Sequence, residues 1–278
     1  MNVHPRRLLA MALTVPLGLT AFALTAPAAF ADETLPSFSY ADCPDALPVG
    51  ADPNSWICDI IVIPAGSMKI GGITQPITQP MTMTVISGLD PKTGNNRNVF
   101  IKMRAKPMTV AGGALGIPGS DTSLPILKLQ VQPKYAGNFS LGFDDTGTIK
   151  STIDLRFKII NQLMGDKCFI GTAKAPVKLN LVADMSTFQW YDTAMAVTVN
   201  DNAFAAPATS GCGVLAPIAN LRSGLPSASG KNSASFRMFL ATKPYSELFP
   251  TMKGLTKKKR STAVRLPLGL PSSLAKRH

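Results

Sequence analysis

The sequence predicts an all-β protein, an antiparallel β-sandwich, and three observations carry that prediction. From Met81 onward apolar residues recur at every second position, turn-forming clusters separate the alternating stretches, and helical periodicity is not sustained anywhere after the first segment. The chain also holds 23 prolines among 278 residues, which interrupts most helical candidates. A hydrophobic fraction of 45% against 16% charged residues supports a packed core rather than wholesale disorder.

The first element in order is a leader. Arg6 and Arg7 precede an apolar stretch from Leu8 to about Ala26, and Ala29-Phe30-Ala31 stands before Asp32-Glu33, the order of an export signal. Residues 1–31 are read as a signal peptide cleaved after Ala31, and the protein as secreted, either extracellular or associated with the cell envelope. Pro16, Gly18 and the Ala-x-Ala site argue against an uncleaved anchor. The flanks of Arg6-Arg7 fit a twin-arginine signal poorly, and no later apolar run reaches the roughly 18 residues of a spanning helix.

Residues 32–243 form the β-sandwich domain, with a division into two β subdomains left open. Ile153, Leu155, Phe157 and Ile159 alternate with Asp154, Arg156 and Lys158, so one face of that strand is core and the other is wet. The pattern recurs at Met81, Met83, Val85; at Leu127, Leu129, Val131; at Val177, Leu179, Leu181; at Met195, Val197, Val199; and at Phe236, Met238, Leu240. Half-buried strands of this kind pair antiparallel. Gly71-Gly72, Asp90 to Asn96, Gly112-Gly113, Pro118-Gly119, Asp144 to Gly147 and Ser210-Gly211 punctuate them as turns. An immunoglobulin-like or related sandwich follows. A closed barrel is the rival, since alternation does not say whether a sheet meets itself.

Cys43, Cys58, Cys168 and Cys212 remain after the leader, an even count that in an oxidising compartment reads as two disulfides. Of three pairings, proximity favours Cys43 with Cys58 and Cys168 with Cys212, closing loops of about 15 and about 44 residues worth about 3 and about 4 kcal/mol. Zinc-type spacing is absent, and the two histidines are His4 in the leader and His278 at the last position, so no metal and no cofactor is expected.

After Lys243 the texture changes. Residues 244–278 hold Lys253, Lys257, Lys258, Lys259, Arg260, Arg265, Lys276 and Arg277 against one acid, Glu247, and read as a flexible basic tail. Outside a cell, Lys253, Lys257, Lys258, Lys259 and Arg260 attract anionic wall polymers or lipid headgroups with about 1 kcal/mol per charge near a surface. Nucleic acid is not expected as a partner, because export separates the protein from it and only Tyr245 and Phe249 offer stacking. No Leu-Pro-x-Thr-Gly anchor is present.

Without imidazole a conventional triad or zinc hydrolase is disfavoured, and no catalytic residue is nominated. Pro226 to Gly230 lacks the first glycine of a nucleophile elbow and has the composition of a turn. The single Asp145-Thr146-Gly147 lacks the second copy an aspartic protease needs and reads as a hairpin turn between Phe143 and Ile149. Glycosidase chemistry needs two acids in a cleft, often with aromatic platforms; here Glu33 and Glu247 lie near the ends, Trp56 and Trp190 are the tryptophans, and no aspartate pair stands out by spacing. The apolar loop Ala111 to Gly119 lacks a phosphate-cradle ending. It is read as a turn with Leu115 and Ile117 tucked under the sheets or as a lip over an apolar pocket. Twelve methionines suit adaptable core packing or an apolar ligand site. Asn138-Phe139-Ser140 matches a glycosylation acceptor.

The stretch from Val199 to Gly213, with Phe204-Ala205-Ala206-Pro207 and Gly211-Cys212-Gly213, and the stretch Gly224-Leu225-Pro226-Ser227 to Asn232 resemble a group of exported actinobacterial β-rich proteins. Cys168 to Gly171 and Pro176 to Leu181 resemble that group's middle region. The resemblance implies a disulfide between the two later cysteines and attaches no activity. Lys231 and the basic tail depart from the pattern. The expectation is an exported, non-enzymatic structural or binding protein at the cell envelope. The alternatives are a carrier of an apolar small molecule or lipid and an aspartate-based hydrolase.

Overall fold

The computed structural model describes residues 33–120 and 125–251. The leader, and with it His4, lies outside the described residues, as do His278 and the basic cluster Lys253, Lys257, Lys258, Lys259 and Arg260. The chain divides into two units, Met1–Leu35 and Pro36–His278, and every strand and helix among the described residues belongs to the second. No described helix is long and apolar enough to cross a membrane.

Twelve strands, β1 (Ile57–Ile70), β2 (Ile73–Pro76), β3 (Met81–Leu89), β4 (Asn96–Arg104), β5 (Met108–Thr109), β6 (Gln130–Phe143), β7 (Ile149–Ile160), β8 (Phe169–Ile170), β9 (Val177–Tyr191), β10 (Ala194–Asp201), β11 (Thr209–Ser210) and β12 (Ser233–Pro244), join one antiparallel sheet. The described residues also hold two short α-helices, α1 (Ala216–Ser223) and α2 (Tyr245–Leu248). The long strands run in the order β6-β7-β9-β10-β12-β1-β3-β4. The sheet folds over so that both halves share one core, as in a β-sandwich, and it stays open: among the described residues no ladder joins β4 to β6. Side chains bridge that gap instead. The rings of Phe100 and Tyr135 stack at 3.6 Å, and the Leu141 N–H donates to Asn98 Oδ1 at 3.0 Å.

The alternating positions do what their period requires. Leu155, Phe157, Leu179, Leu181, Val197, Val199, Phe236 and Met238 all face the shared core. The expected alternation at Leu127, Leu129 and Val131 is only partly a strand: Pro125–Leu127 makes a 3-10 turn and β6 begins at Gln130. β1 lies outside the alternating set because both of its faces are covered. Ile61 and Ile63 point into the shared core, while Cys58, Ile60 and Val62 join a second cluster on the outer face with Trp56, Ile86, Phe239 and Tyr245. The N-terminal segment covers that face, tied by the Cys43–Cys58 disulfide and by Asp42, which accepts from Arg104 Nε at 2.6 Å and Lys102 Nζ at 3.1 Å. Those cations hold the Asp42 carboxyl down at about 2, Arg104 first. The second disulfide joins Cys168 to Cys212, so both expected pairings are present, and two disulfides belong to an oxidising compartment.

Two expectations need correction. The folded part does not stop at Lys243: β12 runs to Pro244, the Tyr245 N–H donates to Trp56 O, and the fully buried Tyr245 ring packs with Phe249. An aromatic pair anchored on the outer cluster outweighs the basic texture that follows it. Leu115 and Ile117 do not tuck under the sheets; they are exposed, while Gly112 and Gly113 are the buried part of that loop. Gly116, between Leu115 and Ile117, lies close against the Arg222 guanidinium of α1, where a Cβ would come within 2.6 Å of Nε.

Candidate functional site

At one end of the sandwich three hairpins surround a cleft of about 870 Å³. They join β3 to β4, β6 to β7 and β9 to β10, and carry Leu89, Phe143 and Trp190 on the rim. Phe143 is 69% exposed and Trp190 76%, an unusual state for side chains that gain from burial. Phe188 meets the Trp190 ring edge-on at 5.1 Å and steadies it.

The hairpins are held by local chemistry. Asp90 accepts from the Lys92 and Thr93 N–H groups and pairs with Arg97 at 3.0 Å. Asp144 accepts from Thr146 and Thr148 N–H groups and pairs with Lys150 at 2.9 Å, so the Asp-Thr-Gly segment is a hairpin turn. Lys150 and then the Thr146 hydroxyl hold the Asp144 carboxyl well below the ordinary carboxylate range.

The floor carries a linked set of polar side chains. Strand alternation turns Ile57 and Asp59 of β1, Ser87 of β3, and Leu240 and Thr242 of β12 toward the same end of the interior, and all five line the cleft. Asp59 is only 4% exposed. Its Oδ2 accepts from the Ser87 hydroxyl at 2.8 Å and its Oδ1 from the Thr242 hydroxyl at 2.7 Å. Asn98 Nδ2 donates to Ser87 Oγ at 3.0 Å, and Asn98 Oδ1 receives the Leu141 N–H described above. One hydrogen-bonded chain therefore links β6, β4, β3, β1 and β12 beneath the cleft. Burial pushes the Asp59 carboxyl up, and the two hydroxyl bonds oppose that shift without cancelling it. Arg97 and Asp192 add charge of both signs to the walls.

No family model, curated protein or solved structure matches this chain.

Of the residues singled out from sequence, Cys43, Cys58, Cys168 and Cys212 lie away from the cleft as two cross-links, and Leu115 and Ile117 belong to a different loop. Trp190 reaches the cleft, while Trp56 is buried beside it with Nε1 donating to Leu89 O at 3.0 Å. Gly88 makes room for that indole, since a Cβ there would come within 2.5 Å of it. Sequence alone does not nominate Asp59. Its signal is a lone acid within Ile57 to Pro64, a run otherwise apolar. Ser87, Asn98 and Thr242 carry no signal in one dimension; only strand register brings them together. Among the described residues no group of three or more His, Cys, Asp or Glu is arranged to hold a metal.

Proposed function

We propose that the protein is an exported binding protein of the cell envelope that receives a hydroxyl-rich ligand, a glycan segment, in the cleft between its three hairpins. The observation that carries this reading is the buried, hydrogen-bonded Asp59 on the floor beneath exposed Trp190 and Phe143. Sugar rings present C–H faces that pack on aromatic rings, and hydroxyls that need paired acceptors and donors. Asp59 uses one bond per oxygen on Ser87 and Thr242, which leaves acceptor capacity for a ligand hydroxyl. The cleft's size is that of a pocket for a ligand of several rings. The leader and the two disulfides support placement outside the cytoplasm, where wall polymers are abundant. In this reading the cluster at Lys253, Lys257, Lys258, Lys259 and Arg260 supplies reversible attraction to anionic wall polymers or headgroups, and the cleft supplies recognition.

The test is titration of the disulfide-bonded protein with neutral hexasaccharides and with phosphate-bearing wall-polymer fragments, followed by tryptophan fluorescence and calorimetry. Because Trp56 is buried, quenching reports on Trp190. Saturable binding weakened at least tenfold in Trp190→Ala and in Asp59→Asn is expected. Absence of saccharide binding, or equal affinity in both variants, overturns the reading. Reducing ends released by the wild type and not by Asp59→Asn would overturn it in favour of an aspartate-based hydrolase.

A further inference from the structure

The opposite end of the interior has a different character. A cavity of about 80 Å³ lies among β1, β2, β3, β6 and β7, and its wall includes Met68, Met81, Met83, Met103 and Met108. These methionines adapt their shape at little cost, so the wall can yield around a guest. The polar residues of this lining are Gln75 of β2, Gln130 at the start of β6 and Ser223 at the end of α1, and of the three only Gln75 has apolar lining residues two positions away on both sides. Ile73, Gln75 and Ile77 all line the cavity, so the alternation that makes β2 a half-buried strand places an amide where an apolar side chain belongs.

Gln75 is 93% buried, at 7% exposure, and its Oε1 has no hydrogen-bond partner. The amide is oriented by its other end: Nε2 donates to Pro76 O at 2.9 Å, and a flip would set oxygen against oxygen. An orphaned buried acceptor is costly unless something supplies a donor, and polar residues that break a local pattern concentrate at functional sites. We propose that this cavity binds a small, neutral, aliphatic molecule carrying one hydrogen-bond donor, a short-chain primary alcohol, whose chain packs among the methionines and whose hydroxyl donates to Gln75 Oε1. The cavity is about half the size of the 150 Å³ apolar cavity that admits benzene, so a chain of about four carbons sets the scale. A charged headgroup is not accommodated, because no described ion pair lies in the lining. The site is separate from the cleft and does not rest on the glycan reading.

The test uses the disulfide-bonded chain with ¹³C-methyl-labelled methionine, titrated with 1-butanol and with its isomer methyl propyl ether, which has no donor. Saturable shifts of the Met81, Met83 and Met103 methyl signals by butanol are expected, with affinity at least tenfold tighter than for the ether. Gln75→Leu, and the more nearly isosteric Gln75→Met, should abolish that preference while the protein stays folded. Asp59→Asn should leave butanol binding unchanged, which separates this outcome from failure at the cleft. No methyl shift with butanol, equal affinity for both isomers, or a preference that survives in both Gln75 variants overturns the proposal. A bound water that butanol does not displace also overturns it.

Discussion

Asp59 shows how much one residue changes the meaning of a strand. Its neighbours Ile60, Ile61, Val62 and Ile63 are all buried, and the acid survives among them because Ser87 and Thr242 each offer a hydroxyl. Burial lifts its carboxyl above the ordinary value of 3.8, so the folded protein keeps this proton to higher pH than the unfolded chain does. Between those two values the folded state binds more protons, and stability falls as pH rises through that window. Asp59→Asn, which keeps the shape and removes the charge, is therefore expected to melt higher than wild type at pH 7, with the difference vanishing below about pH 3.8. Thermal unfolding at a series of pH values checks this, and a gain that is equal at pH 3 and pH 7 would contradict it. Since the variant stays folded, its expected loss of glycan affinity reports on the cleft and not on misfolding.

At the scale of elements, strands whose core residues recur at a steady period of two were legible, and the one that breaks its period was not. β7 and β9 announce themselves because polar and apolar residues take turns, and β10 and β12 because large apolar residues recur at every second position. β1 does not, and it also changes parity: Ile61 and Ile63 face the shared core at odd positions, Met68 and Ile70 at even ones. The cause is a bulge in its pairing with β12 between Val62 and Ala65, where one extra residue reverses the faces. That reversal lets the first half of β1 carry Asp59 to the cleft and the second half carry Met68 to the cavity. Gly66, next to the bulge, has φ +135°, and a Cβ there would stand 2.3 Å from the Ser235 carbonyl oxygen. Gly66→Ala is expected to destabilise the fold by about 2 kcal/mol or more, read from the denaturant midpoint. A shift below about 0.5 kcal/mol would mean that the backbone there is not fixed by the bulge. The disulfide pairs were legible for a simpler reason, because short loops make near neighbours the natural partners. The cleft was not, because its floor is assembled from residues as far apart in sequence as Asp59 and Thr242.

For the whole molecule the question is where the folded body ends and the charged segment begins. Composition places the change after Lys243, but packing places Tyr245 and Phe249 in the outer cluster with Trp56 and Phe239. The tyrosine ring is fully buried and its backbone N–H is bonded to Trp56 O at 3.0 Å. A chain ending at Lys243 would strip that ring from the cluster that also holds the Cys43–Cys58 disulfide, a loss on the scale of about 3 to 5 kcal/mol for a large aromatic. A chain ending at Thr251 keeps every described residue of that cluster and removes the segment that carries the basic residues. The expected outcome is a large fall in melting temperature for the first truncation and none for the second. With the fold intact, the Thr251 truncation should lose the salt-sensitive part of wall retention while keeping saccharide affinity at the cleft. Retention that is the same at low and high ionic strength, or unchanged in the Thr251 truncation, would assign attachment to the cleft alone and remove the basic segment from the function.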